Sequence, residues 1–214
     1  MKVILLLLIF FILMPLPVKG ATPMGAEEVV KRLREVQAKT KDFSADLHQE
    51  KKLSLMKEKI VSRGRIRFKK PDKVSIEFFH PEPSQMIFDG KTVLLYYKEE
   101  KMAERYSLRS NPLTERYLVF SKDPFQEKLA GWKIVEDRES FLVIEIIPKV
   151  KDPLFVKTRL QVSKKNWMVI GMEMIEKNGD TTSIRYSNMK VNTGLIDSDF
   201  EIHLPKDVKI TEVR

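Results

Sequence analysis

The chain has 214 residues, 43% of them hydrophobic and 32% charged, a formal net charge of +9, and no cysteine. Without cysteine it can build no disulfide framework, no thiolate metal site and no lipid anchor on a thiol, so its core has to hold by apolar burial alone. The lysines and arginines are spread between apolar positions and mixed with glutamate instead of forming one stripe, which excludes nucleic acid as the expected partner.

The chain opens with Lys2 and an almost unbroken apolar run from Val3 to Leu13, followed by Pro15, Pro17 and Val18-Lys19-Gly20-Ala21. A charged start, a short apolar run and small residues before a cut are the pattern of a secretory signal peptide. Residues 1–20 are expected to be removed near Gly20/Ala21, leaving residues 21–214 as one domain. A retained membrane anchor is the alternative, against which the run falls short of the ~20 apolar residues that a spanning helix needs.

Next, Ala26 to Lys39 predicts an amphipathic helix with Val29, Leu33 and Val36 on one side. Phe43 to Gln49 alternates strictly, placing Phe43, Ala45 and Leu47 on one face, and the strand extends toward Leu53 before a turn near Lys57. Four short strands then follow from Arg63 to Tyr97. Their shared apolar face carries Ile66 and Phe68, then Val74, Ile76 and Phe78, then Met86 and Phe88, then Val93, Leu95 and Tyr97. Lys70-Pro71-Asp72, His80-Pro81-Glu82-Pro83 and Asp89-Gly90 punctuate them as turns.

A further strand is expected from Lys101 to Leu108. The spacing of Leu113, Tyr117 and Phe120 after Asn111-Pro112 then changes to a helical one. Asp123-Pro124 and Gly131 predict a second short helix over Pro124 to Ala130. Strands resume over Trp132 to Asp137, Phe141 to Ile147, Phe155 to Val162, Trp167 to Ile175, Thr181 to Val191 and Val208 to Thr211. So many strands in hairpin order make one large antiparallel sheet, curled into an incomplete barrel with the helices as cover. The expected class is mainly β with a helical lid.

Catalytic constellations are missing from the sequence. His48, His80 and His203 stand far apart, Glu99-Glu100 falls in a turn, and no nucleophile elbow, phosphate loop or metal spacing occurs. No enzyme activity, metal or cofactor is expected. Met168, Ile170, Met172 and Met174 read as one side of a single strand. Methionine adapts to ligands of variable shape, so this stripe suits a binding cavity, although ordinary core explains it equally well.

The segment Phe43-Ser44-Ala45-Asp46-Leu47-His48-Gln49 resembles the Phe-x-Ala-x-Phe-x-Gln pattern of the periplasmic outer-membrane lipoprotein carriers, the LolA family, with Leu47 in place of the usual Phe. Further similarities follow in order: Gly64-x-Ile66-x-Phe68-x-x-x-Pro71, Asp89-Gly90-Lys91-Thr92 before Leu95-Tyr96-Tyr97, Asn111-Pro112, Asn192-Thr193-Gly194-Leu195-Ile196, and Phe200 with Pro205, Val208 and Ile210. The resemblance implies an open barrel of about eleven strands that carries lipoprotein acyl chains from inner to outer membrane. It would be loaded by an inner-membrane release transporter and emptied by an outer-membrane receptor.

The candidate lining of such a cavity, read from apolarity along the elements named above, is Leu33, Val36, Phe43, Leu47, Ile66, Phe68, Val74, Ile76, Phe78, Met86, Phe88, Val93, Leu95, Leu113, Tyr117, Met168, Ile170, Met172 and Met174. In the family a basic residue, usually Arg, precedes the proline of the second motif and helps hold the lid. Here it is Lys70, which lacks the planar five-donor fork of arginine. Ile76 stands where the family often has an aromatic. The expected protein is a periplasmic monomer with acylated lipoproteins as cargo. A lipid- or lipoprotein-sensing module of the same fold, or a carrier of another lipid, remains the alternative.

Overall fold

The computed structural model describes residues 25–55, 59–107, 125, 130–149 and 155–213. Among the described residues one helix, α1 (Ala26–Lys39), precedes a single twelve-stranded sheet. Its strands are β1 (Asp42–Lys52), β2 (Lys59–Lys69), β3 (Lys73–His80), β4 (Ser84–Asp89), β5 (Thr92–Tyr97), β6 (Met102–Ser107), β7 (Ala130–Asp137), β8 (Phe141–Pro148), β9 (Phe155–Ser163), β10 (Val169–Glu176), β11 (Thr181–Val191) and β12 (Lys209–Val213). Their order across the sheet is β12-β6-β5-β4-β3-β2-β1-β11-β10-β9-β8-β7, so β12 and β7 are its two edges and the barrel stays open.

Local chemistry explains the element ends. Glu27 and Glu28 sit in the first turn of α1 and Lys39 in the last, each complementing the helix dipole. Thr40 closes the helix, its backbone N–H and its hydroxyl both donating to the Val36 carbonyl at 3.0 and 2.8 Å. Between β4 and β5 the Asp89 carboxylate accepts the backbone N–H groups of Lys91 and Thr92 at 2.9 and 2.7 Å. Gly90 takes the positive φ of +85° that this tight reversal needs.

Directly opposed residues in a sheet point to the same side, so the register identifies the two faces. Leu47 opposes Gly64 and Tyr186, Ile66 opposes Ala45 and Ile76, and Met86 opposes Ile76 and Leu95. On the other half Ile184 opposes Met172, Met172 opposes Leu160, and Leu160 opposes Ile144. This apolar side is continuous from β5 to β7 and is the inner face. Helix α1 lies on one half of it, Val29 and Val30 packing with Leu142, Ile144, Ile146 and Val162.

The opposite, outer face is covered over β3–β5 by the C-terminal segment. A single 3-10 turn, Asp197–Phe200, buries Phe200 there, beside Ile87 and Leu94. Asp197 binds Lys69 at 2.6 Å and Lys73 at 2.9 Å, and these two cations hold its carboxyl down to about 2.

Three expectations change. Ala130 and Gly131, read as the end of a short helix, open strand β7, because Ala130 pairs with Pro148 and Gly131 with Ile147. The remainder of that helix except Phe125, and the helical spacing of Leu113, Tyr117 and Phe120, lie outside the described residues. Strand β10 starts at Val169, not Trp167. β12 runs parallel to β6, so the sheet is antiparallel in every pairing but this one.

Candidate functional site

The inner face divides into two halves of different packing. Beneath α1 the residues of β8 and β9 form a closed core: Leu142, Ile144, Ile146 and Val162 are at most 1% exposed. Leu33, Trp132, Ile134, Leu160, Trp167 and Val169 pack around it. The Arg32 guanidinium lies 5.1 Å over the Trp167 ring and fixes the same helix to the β9–β10 turn.

Over β1–β5 the inner face is equally apolar but less covered. Ala45, Leu47 and Ile66 are buried at its centre, and Phe43, Val74, Ile76 and Phe78 pack around them. Phe43 stacks obliquely on Phe68 at 5.5 Å. Phe68, Val74, Ile76, Phe78, Met86, Phe88, Val93 and Leu95 are all only half-buried. Their register joins them to Phe43 without interruption: Phe43 opposes Phe68, Phe68 opposes Val74, Val74 opposes Phe88, and Phe88 opposes Val93. Contiguous half-exposed apolar surface on this scale is what binding surfaces retain and closed cores remove.

Most candidate positions from the sequence therefore fall on one face. Met172 and Met174 join it, opposing Ile184 and Thr182. Met168 and Ile170 do not continue that stripe: Met168 precedes the strand, and a register shift between Val169 and Gly171 breaks the alternation. Val169 takes the inward place, opposing Val162, and Ile170 lines a surface hollow of about 580 Å³ beside Phe141 and Lys164. Leu33 faces the closed half and Val36 lies on α1 one turn further. Leu113 and Tyr117 lie outside the described residues.

Four inner-face residues carried no signal that sequence reading picked out: Ile184 and Tyr186 on β11, Leu160 on β9 and Trp132 on β7. Strict alternation along β11 from Thr182 through Ile184 to Tyr186 was the available clue. The face also has a polar end. Gln49 opposes Ser62 and Ile184, and one step further Thr182 and Thr158 flank Met174.

At the opposite end several contacts converge on the start of β1. The Lys70 ammonium donates to the carbonyls of Gln37 and Ala38, at 2.5 and 3.0 Å, in the last turn of α1. A cation on the terminal carbonyls suits the negative end of the helix dipole. The Asn192 side chain donates to the Lys39 carbonyl at 3.1 Å and accepts the Lys41 N–H at 2.7 Å. Buried Asp42 accepts the backbone N–H groups of Thr193 and Gly194 at 2.8 and 3.1 Å. Burial pushes its carboxyl up, but these hydrogen bonds outweigh burial and hold it below the ordinary carboxylate range.

The outer face is polar and basic. Arg63, Arg65, Arg67 and Lys69 alternate along β2, and buried Glu145 is held among Arg159 at 3.1 Å, Lys133 at 3.4 Å and Lys157 at 3.5 Å. Among the described residues no group of three or more acidic or histidine side chains could hold a metal. A second hollow, about 380 Å³, lies on this outer side between Arg105, Phe200 and His203. No helix of the described residues is long and apolar enough to cross a membrane.

Comparison with known proteins agrees with this geometry. The family described as "Outer membrane lipoprotein carrier protein LolA" matches residues 38–203. An uncharacterized protein of Methanocaldococcus jannaschii is 24% identical over 96% of this chain, which spans 59% of that protein's length. The outer-membrane lipoprotein carrier protein of Pseudomonas putida KT2440 is 25% identical, with 89% of this chain and 91% of that protein aligned. Among solved structures, an uncharacterized conserved protein from Thermus thermophilus superposes with a TM-score of 0.56 at 12% identity, covering 89% of this chain and 100% of that one. This last likeness concerns the fold alone. The periplasmic location expected from the family resemblance is that of the carrier family the chain matches.

Proposed function

The chain belongs to the LolA family of outer-membrane lipoprotein carrier proteins, and on that premise we propose that it carries the acyl chains of lipoproteins across the periplasm on the inner face of β1–β5. One observation carries the reading: an uninterrupted apolar face from Phe68 to Leu95 that stays half-exposed while the neighbouring half of the same sheet is sealed by α1. Burying one methylene contributes ~0.8 kcal/mol, so a sixteen-carbon chain entering water bare would lose on the order of 12 kcal/mol. A lipid-modified protein cannot cross an aqueous gap at useful speed against such a cost. An apolar face of Phe, Val, Ile, Leu and Met is a substitute solvent that need not match one lipid in shape.

Binding of this kind involves no chemical step, so loading and release depend on partners. An inner-membrane release transporter would deliver the acylated cargo and an outer-membrane receptor would accept it. Lys70 acts in this scheme as a latch between the end of β2 and the last turn of α1, through two carbonyls instead of the bidentate contacts an arginine could make.

The test is to purify the protein from its native host and identify what accompanies it by mass spectrometry, in parallel with Leu95→Asp. Leu95 is half-buried near the sheet edge, so a carboxylate there leaves folding intact while spoiling the apolar bed. Acylated protein bound to the parent and missing from the variant is the expected result. A parent that never retains lipid-modified cargo rejects the proposal.

A further inference from the structure

The outer face of β11, β1 and β2 carries cations that the fold itself does not use. Arg185 opposes His48, His48 opposes Arg63, and Arg63 opposes His80, so two arginines and two histidines cross four adjacent strands in one line. A second line runs beside it, where Lys190 and Arg67 flank Ser44. Neighbouring strands lie about 5 Å apart and alternate residues along a strand about 7 Å, so these groups form a spread array instead of converging on one point.

The carboxylates on the same side of these strands are already engaged. Asp46 faces Arg65 at 3.8 Å and accepts the Asn188 amide at 2.7 Å. Glu50 binds Lys59 at 2.7 Å and lies 3.5 Å from His48. Arg63, Arg67, Arg185 and Lys190 make no ion pair with a carboxylate among the described residues. Arg63, Arg185 and Lys190 are exposed, and Arg67 is half-buried. Like charges held this near repel one another, and a counter-charge from outside removes that cost.

The first line ends in exposed apolar surface. Val61, one outward position before Arg63 on β2, and Phe79, the extra residue at the register shift beside His80, are each 38% exposed. A soluble anion uses only the cations. A bilayer surface uses both, its anionic headgroups meeting the array and its interfacial layer taking the apolar rim.

We propose that the outer face of β1, β2 and β11 docks on a bilayer rich in anionic headgroups, with Arg63, Arg67, Arg185 and Lys190 meeting the lipid phosphates. The inference goes beyond the carrier reading and does not rest on it, because the apolar bed lies on the opposite side of the same strands. Docking by this face holds the protein at a membrane while its inner face stays free.

The experiment sediments the protein, purified from its native host, with vesicles of phosphatidylcholine alone and with vesicles carrying roughly 30% phosphatidylglycerol. Binding to the anionic vesicles only, weakening as salt is raised, is the expected result. Arg63→Gln with Arg185→Gln should lower it roughly 25-fold, about fivefold for each charge removed. The melting temperature should not change, since neither side chain has an ion pair to lose. Should that pair disturb folding, Arg67→Gln with Lys190→Gln reads the same surface. Lys165→Gln with Lys206→Gln removes equal charge from exposed turns elsewhere and should bind almost as the parent does. A parent that binds neither vesicle, or both equally, overturns the proposal. So does an equal loss in the Lys165, Lys206 pair, which would make net charge the cause. Capture of polyglutamate without vesicle binding, lost in the Arg63, Arg185 pair, also overturns it and gives the face to an acidic protein. In each case the acylated cargo that accompanies the protein is unaffected, so the carrier reading stands or falls separately.

Discussion

Asp42 shows how much one side chain can organise. It sits at the start of β1, buried, and its carboxylate receives the chain as it leaves β11. Asp197 does the same at the surface, bridging Lys69 and Lys73 across the β2–β3 turn. Both carboxyls are held below their ordinary 3.8, Asp197 at about 2. A group whose folded value is depressed stabilises the fold fully above its unfolded value and loses that contribution as pH falls through the folded one. The protein is therefore expected to lose stability from about pH 4 downward. Urea midpoints measured along this range should show Asp42→Asn less stable than the parent near neutrality and the gap closing in acid. A gap of constant size at every pH would contradict this linkage.

At the level of elements, β2 is where the fold has least tolerance. Gly64 lies opposite Leu47 and Phe78 beside a register shift, and a Cβ built there would run into the Glu77 carbonyl oxygen. The strands β2 and β3 approach closely because the residue has no side chain. Gly64→Ala is expected to part them and destabilise by on the order of 2–3 kcal/mol. A denaturation curve with an unchanged midpoint would show that the strands can yield. The same strand ends at Lys69, which reaches the C-terminal segment on the outer face, and the next residue, Lys70, reaches α1. The β2–β3 turn thus joins the covers of both faces, a role that local alternation does not reveal.

For the molecule as a whole, one continuous sheet serves two purposes. Its β7–β10 half, closed by α1, supplies the stable core, and its β1–β5 half keeps apolar surface within reach of solvent. Truncations should separate the two. Ile144→Ala, in the closed half, is expected to cost about 2–5 kcal/mol of unfolding free energy. Val93→Ala, in the open half, should cost about 1 kcal/mol or less, because a half-exposed methyl loses less on removal. Equal losses at the two positions would mean that both halves are core.

The sequence by itself determined the parts that depend on periodicity and turn chemistry. The bounds of α1, the succession of strands from Phe43 to Tyr97 and the apolar side they share all follow from alternation punctuated by Pro, Asp and Gly, which are local properties. The ordered motifs from Phe43 to Ile196 were enough to suggest the family. Only the tertiary structure decided what depends on neighbours distant in the chain. Alternation cannot register the bulge that turned Ile170 away and brought Val169 inward, because a bulge exists only against a partner strand. Nor can it tell that α1 seals one half of the inner face and leaves the other open. Burial and hydrogen bonding are set by what packs opposite, and for Lys41 and Asp42 the partners lie 151 positions along the chain.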